Sequence, residues 1–178
     1  MQDYTKVKTV FKRRLRSISL RLDDRYLSDP TAPLIVRDAD TVHQVITKIY
    51  ERFDDNQEHL IMLCLNQRNE VTGYKHLFSG GQDSSTVDCK IIFRSALLLG
   101  ARQIIIAHNH PSGCLNPSEE DLAVTRQISN AGYISDIPLI DHIIHTRNGY
   151  TSIRDIRPSL FHERGSRLST YEPSGGYP

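Results

Sequence analysis

The stretch Gln103–Asp121, QIIIAHNHPSGCLNPSEED, decides both the architecture and the chemistry of this chain. Gln103 to Ala107 is a short β-branched run, the composition of a central strand. It delivers His108 and His110 to the strand's end. A helix then begins sharply: Asn116 can cap it, Pro117 suits its first position, and Glu119 stands three residues after the cap. Side chains alternate along an extended segment, so His108 and His110 point to the same side. Asp121, in the first turn of the helix, can close on the same point. Two imidazoles and one carboxylate are a common catalytic zinc ligand set, with the fourth position left to water.

Working outward, the helix runs to about Ala131 and stops at Gly132. Ile137 to His145 reads as a strand, Arg147-Asn148-Gly149 as a hairpin turn, and Tyr150 to Ile153 as its return. Upstream, Val87 to Leu99 predicts a helix ended by Gly100. Glu58 to Leu65 is a mostly apolar run that suits a buried strand, Asn66 to Asn69 a turn, and Val71 to Phe78 a more exposed strand. Ser79 to Ser85 is a polar loop. Val42, Val45, Ile46, Ile49 and Phe53 mark an amphipathic helix over Asp40 to Phe53, with Asp40 as its cap. The order helix, two strands, helix, strand, helix, two strands predicts an α/β (α+β) domain, a mixed sheet flanked by helices, over residues 34–157. Residues 1–33 read as a basic arm and linker. Residues 158–178 read as a polar tail.

The chain has 178 residues, 38% of them hydrophobic, and a net charge of +1. No global field points to nucleic acid or membrane. The charge is uneven, however: Lys6, Lys8, Lys12, Arg13, Arg14, Arg16 and Arg21 crowd the first 21 residues against Asp3. That arm is either a solvated, solubilising segment or a contact for phosphates or a partner. Three cysteines, Cys64, Cys89 and Cys114, argue against a disulfide framework. There is no signal-peptide pattern and no apolar run of membrane-spanning length. The expectation is a cytoplasmic protein.

The chemistry needs more than three ligands. Zinc lowers the pKa of a bound water to about 7, and a carboxylate that does not bind the metal must take the water's proton. Glu58, at the end of an apolar run, is the candidate. Glu70 sits beside a turn, Glu119 fits a capping role, and Glu120 faces solvent. Ser118 lies one turn before Asp121. Its hydroxyl either donates to the oxyanion of a tetrahedral intermediate or satisfies backbone groups of the helix's first turn. His43, His59, His76 and His162 read as surface or helix-face residues. His142 and His145 read as structural or exposed residues of a strand that could line the site.

At these residues the chain resembles the JAB/MPN metalloproteases, whose JAMM motif is matched by Glu58, His108-X-His110-Pro111, Ser118 and Asp121. The closer resemblance is to the RadC-type branch. It is carried by Ala107-His108-Asn109-His110-Pro111-Ser112-Gly113, Pro117-Ser118-Glu119-Glu120-Asp121, Ile137 to Ile144, Gly149-Tyr150-Thr151-Ser152 and Phe78-Ser79-Gly80. The resemblance implies a cytidine deaminase-like sheet wrapped by helices. It implies that His108, His110 and Asp121 bind zinc, that Glu58 is the general base and acid, and that Ser118 helps hold the oxyanion. Active relatives cut peptide or isopeptide bonds, including bonds to ubiquitin-like modifiers. The sequence departs from the family pattern at Cys114 and at Asp88-Cys89-Lys90. The basic arm is also too short for the helix-hairpin-helix region of full-length RadC-type proteins, so the chain resembles the short form of mobile elements.

The resulting expectation is a zinc-dependent hydrolase of peptide or isopeptide bonds, acting on a protein or peptide substrate through zinc-bound hydroxide. The alternatives are a DNA-associated repair or nuclease-like protein, which would use the basic arm, and a catalytically silent, metal-stabilised binding module.

Overall fold

A computed structural model describes residues 33–80 and 88–162. Its elements are α1 (Ala39–Tyr50), β1 (Glu58–Leu65), β2 (Val71–Gly80), α2 (Cys89–Leu98), β3 (Gln103–Asn109), α3 (Glu119–Ile134), β4 (Leu139–Thr146), β5 (Gly149–Ser152) and a single helical turn, α4 (Ile153–Ile156). A 3₁₀ turn, Pro158–Leu160, follows. The strands form one five-stranded sheet in the order β2-β1-β3-β4-β5. β3 pairs antiparallel with β1 and parallel with β4, and the two outer pairs are antiparallel. The parallel pair requires a crossover, and α3 supplies it. The fold is therefore a mixed α/β sheet flanked by helices, as the element order predicts. Among the described residues no helix is long and apolar enough to cross a membrane.

Period-two alternation divides the core into two layers. Leu60, Met62, Cys64, Ile104, Ile106 and Ile144 face α2 and α3, where they meet Ile92, Phe93, Ala96 and Ile128. Ile61, Leu63, Leu65, Ile105, Ala107 and Ile143 face α1, where they meet Val42, Val45, Ile46 and Ile49. Every residue of β3 is buried. Fully burying one such aliphatic side chain is worth roughly 1.5–3 kcal/mol over leaving it exposed, so the two layers hold the sheet between its helices.

Several boundaries differ from those the sequence suggests. Asp38, not Asp40, caps α1, because its carboxylate accepts from Thr41 N while Thr41 answers with its hydroxyl. Asp40 lies within the first turn and instead accepts the Tyr150 hydroxyl. Phe53 lies beyond the helix and stacks on His59. Asp88 caps α2, which begins at Cys89, two residues inside the expected start. β2 continues through Ser79 to Gly80, and residues 81–85 of the expected loop lie outside the described residues, as do residues 86 and 87. The segment from Pro158 is not wholly a tail. Leu160 and Phe161, 9% and 8% exposed, pack into the core on the α2–α3 side. The basic arm and residues 163–178 lie outside the described residues.

Gly132 does not end α3, which continues to Ile134. The reversal falls to Asp136, with φ 56°. Gly132 is required for another reason: a Cβ there would lie 2.6 Å from Ile137 O and 3.2 Å from Leu139 N. The helix touches the start of β4 through its bare backbone. Gly132→Ala gains helix propensity but must push β4 away. Urea or thermal denaturation should show a net loss of about 1–3 kcal/mol, and an unchanged or raised stability contradicts this contact.

Candidate metal centre

His108 is the penultimate residue of β3, and His110 follows the strand. The ladder still holds His110, whose N–H donates to His145 O at 3.0 Å. The two side chains share the α3 face as the alternation requires. A turn then reverses the chain, closed by Gly113 N donating to His110 O at 3.0 Å. Gly113 sits at φ 76°, where a side chain is strained.

Asp121 arrives from the first turn of α3. The cap of this helix is Ser118, not Asn116. Ser118 Oγ accepts from Asp121 N at 3.1 Å, while Ser118 N and Oγ each donate to Asp121 Oδ2 at 2.7 Å. The candidate ligand is thus itself the third residue of a capping box, which sets its rotamer. Its Oδ1 lies 3.1 Å from His108 Nε2 and its Oδ2 3.6 Å from His110 Nε2. The two Nε2 atoms are 2.8 Å apart.

These residues fit a metal ion. Among the described residues they are the one group of histidine, cysteine and acidic side chains whose donor atoms converge, all within 4.8 Å of one another. Ligands held tetrahedrally at about 2.0–2.2 Å from an ion stand roughly 3.3–3.6 Å apart, close to the two imidazole–carboxylate separations, and the two Nε2 atoms must part slightly to admit an ion. The proton inventory agrees. His110 Nδ1 lies 2.7 Å from Cys114 O, a carbonyl that can only accept. Nδ1 therefore carries hydrogen, and a neutral His110 presents a bare Nε2 to the centre. Cys114 enters through this carbonyl; its own Sγ lies 3.9 Å from Asn116 O.

Glu58 opens β1 and is exposed. Leu60 pairs with His108 across β1–β3, and continuing that register by two residues brings Glu58 level with His110. Its carboxylate is near enough to favour the charged form of His110. A residue the sequence reading overlooked holds it there. Asn109 Oδ1 accepts from His59 N at 2.7 Å, and its Nδ2 donates to Gln57 O at 2.8 Å. The side chain between the two histidines therefore clasps the backbone on both sides of Glu58. Glu70 lies at the other end of β1 and pairs with Arg68.

His59 departs from its surface reading, and His142 takes up the structural one that its strand position left open. His59 is 5% exposed, and its ring lies 2.9 Å from Asp54 O and 3.0 Å from Ser79 Oγ. His142 is 1% exposed, with Nε2 2.8 Å from His108 Nδ1. Burial pushes the His142 pKa well below the ordinary imidazole value and keeps it neutral. Burial works against the Asp121 charge, but the facing imidazoles of His108 and His110 and the Ser118 hydroxyl outweigh it, so the carboxyl stays far below the usual range. The bond to Asp121 raises the His110 pKa against the opposing effect of burial, and the Cys114 carbonyl adds to the rise.

That pairing has a pH sign in the metal-free chain. The folded pKa of His110 exceeds its ordinary 6.5. The stabilisation is therefore complete below about pH 6.5 and is lost as pH rises through the higher folded value. Asp121→Asn should lower the His110 pKa in an NMR titration of metal-free protein; an unchanged value contradicts the pairing.

Comparison with known proteins places the site in a family. A UPF0758 protein of Listeria monocytogenes is 44% identical over 99 residues, which are 56% of this chain and 44% of that protein. UPF0758 proteins of Clostridium botulinum and Enterococcus faecalis are 42% and 39% identical over 99 residues, 56% of this chain and 43% of each relative. The match spans less than half the length of these relatives. The family model for the RadC-like JAB domain matches residues 36–158, which include the whole sheet, α3 and every residue of the candidate centre. The chain belongs to the RadC-like JAB domain family.

Proposed function

We propose that this protein is a zinc-dependent hydrolase that cleaves peptide or isopeptide bonds in a protein or peptide substrate. The observation that carries this reading is the convergence of His108 Nε2, His110 Nε2 and the Asp121 carboxylate. The Glu58 carboxylate beside His110 supports it. Two neutral nitrogen donors and one carboxylate suit zinc and leave a coordination position open. A bound zinc ion would supply Lewis acidity and a water that ionises near neutral pH.

The chain's own residues divide the remaining work. His108, His110 and Asp121 would hold the ion. Glu58 accepts the proton of the attacking water and passes it to the departing amine nitrogen. Its exposure leaves room for a substrate chain on that side, and the Asn109 clasp keeps its backbone from drifting. Ser118 orients Asp121 in the resting site. To donate to an oxyanion its hydroxyl must leave Asp121 Oδ2, and the Ser118 N–H then keeps one bond to that oxygen. The substrate class extends to conjugates of ubiquitin-like modifiers, whose linkage is the same amide bond.

The test is cleavage of a panel of peptides and isopeptide-linked conjugates by the zinc-loaded protein. The wild type should turn over at least one of them, and Glu58→Gln should lose about 10²–10⁴-fold in rate at unchanged zinc content. A Glu58→Gln variant that cleaves at the wild-type rate contradicts the mechanism. A zinc-loaded wild type that cleaves no member of the panel favours a binding module.

A further inference from the structure

Two buried side chains behind the candidate centre, His142 and Thr125, have no part in the reading above. Thr125 is 0% exposed and His142 1%. They join the ligand-bearing elements in a closed circuit. Thr125 Oγ1 lies 2.6 Å from the Asp121 carbonyl oxygen and 2.6 Å from His142 Nδ1. His142 Nε2 lies 2.8 Å from His108 Nδ1. His108 Nε2 then returns to Asp121 Oδ1 at 3.1 Å.

Proton accounting fixes the direction of the links through Thr125 and His142; the last pair, His108 Nε2 and Asp121 Oδ1, faces the centre and shares no proton when His108 is neutral. The Asp121 carbonyl only accepts, so the single hydroxyl proton of Thr125 goes to it. Thr125 Oγ1 must then accept from His142 Nδ1–H. Neutral His142 is left with a bare Nε2, which accepts from His108 Nδ1–H. A neutral His108 in turn has a bare Nε2, the atom that faces His110 and Asp121. The tautomer of His108 is thus dictated from the core, through two residues that touch neither substrate nor ion.

We propose that His142 and Thr125 are positioning residues of the metal centre, holding His108 in the Nδ1–H tautomer with Nε2 aimed at the ion. Histidines that bind metals commonly donate their other N–H to a carboxylate, a carbonyl or a water. Here the acceptor is a second imidazole. The pairing of Ile106 with His142 across β3–β4 brings it beside His108 on the α3 face. A carboxylate in that place would be a buried charge; a neutral imidazole accepts without one. Thr125 adds a second constraint, because its anchor is the carbonyl of a candidate ligand. Displacement of α3 against the sheet disturbs His108 and Asp121 together. The purpose of this circuit rests on the zinc reading of the site, whereas the hydrogen-bond pattern holds in the metal-free chain.

The experiment uses the full 178-residue chain and two readouts. The first is zinc affinity by competition with a chromophoric chelator. The second is the His108 tautomer in metal-free protein, by long-range ¹H–¹⁵N correlation. The variants are Thr125→Val, which keeps the shape and removes the hydroxyl, Thr125→Ser, which restores it, and His142→Phe. Melting curves establish that each is folded. The wild type should show His108 Nδ1–H. Thr125→Val and His142→Phe should lose about 10–100-fold in zinc affinity and populate Nε2–H, and Thr125→Ser should stay near the wild type in both readouts. A purely structural role would not move the tautomer. Wild-type zinc affinity and tautomer in Thr125→Val overturn the proposal, as does an Nε2–H His108 in the wild type. If His142→Phe does not fold, the Thr125 pair still decides the matter. If the wild type takes up no zinc, the hydrolase reading fails separately, and the tautomer readout still decides the hydrogen-bond circuit.

Discussion

The burial of β3 between an antiparallel and a parallel neighbour is the constraint on which the rest of the structure depends. A slip of one residue would turn His108 from the layer under α3 to the layer under α1 and bury its imidazole against the apolar side chains there. Fixing that register fixes three things at once. β1 brings Glu58 to the level of His110. β4 brings His142 beside His108. The parallel crossover returns α3 over the strand's end with Asp121 in its first turn. No loop has to find the site, since each of these groups is delivered by the sheet or by the helix that crosses it.

The electrostatics follow from the same placement. Asp121 stands at the third position of a helix whose first turn also carries Glu119 and Glu120. The helix N-terminus favours negative charge there, and the Ser118 N–H and hydroxyl both point at the carboxylate. Asp121 therefore stays ionised although half buried. On the other side of His108 the neutral His142 adds no charge. The centre combines one fixed anion with imidazoles whose outward nitrogens already carry their hydrogens, and this combination attracts a cation.

Local pattern was enough for much of this. β1, β3 and the hairpin were legible because apolar runs and turn residues act over a few positions. The His108, His110 and Asp121 group was legible because its spacing fits a strand followed by a helix. The cap of α3 was misplaced although its signal was present: Ser118-Glu119-Glu120-Asp121 has the capping-box form, and Asn116-Pro117 offered a competing start. The contacts of Asn109 and Thr125 were not legible, nor was the contact His142 makes, although its strand position lets it line the site. Their partners lie 50, 17 and 34 residues away in sequence, and only the register of the sheet brings them together. His59 is buried with its ring against Asp54 O and Ser79 of β2, a placement that the local pattern around it does not show. Leu160 and Phe161 were hidden by their polar surroundings.

The central claim is that His108, His110 and Asp121 hold a metal ion. Its most direct test is elemental analysis of the purified wild-type protein beside Asp121→Ala and the double variant His108→Ala/His110→Ala. About one zinc per wild-type chain is expected, and it should be lost in both variants, with the fold intact by circular dichroism. A folded wild type that stays metal-free when zinc is supplied, or variants that retain the wild-type zinc content, would contradict it.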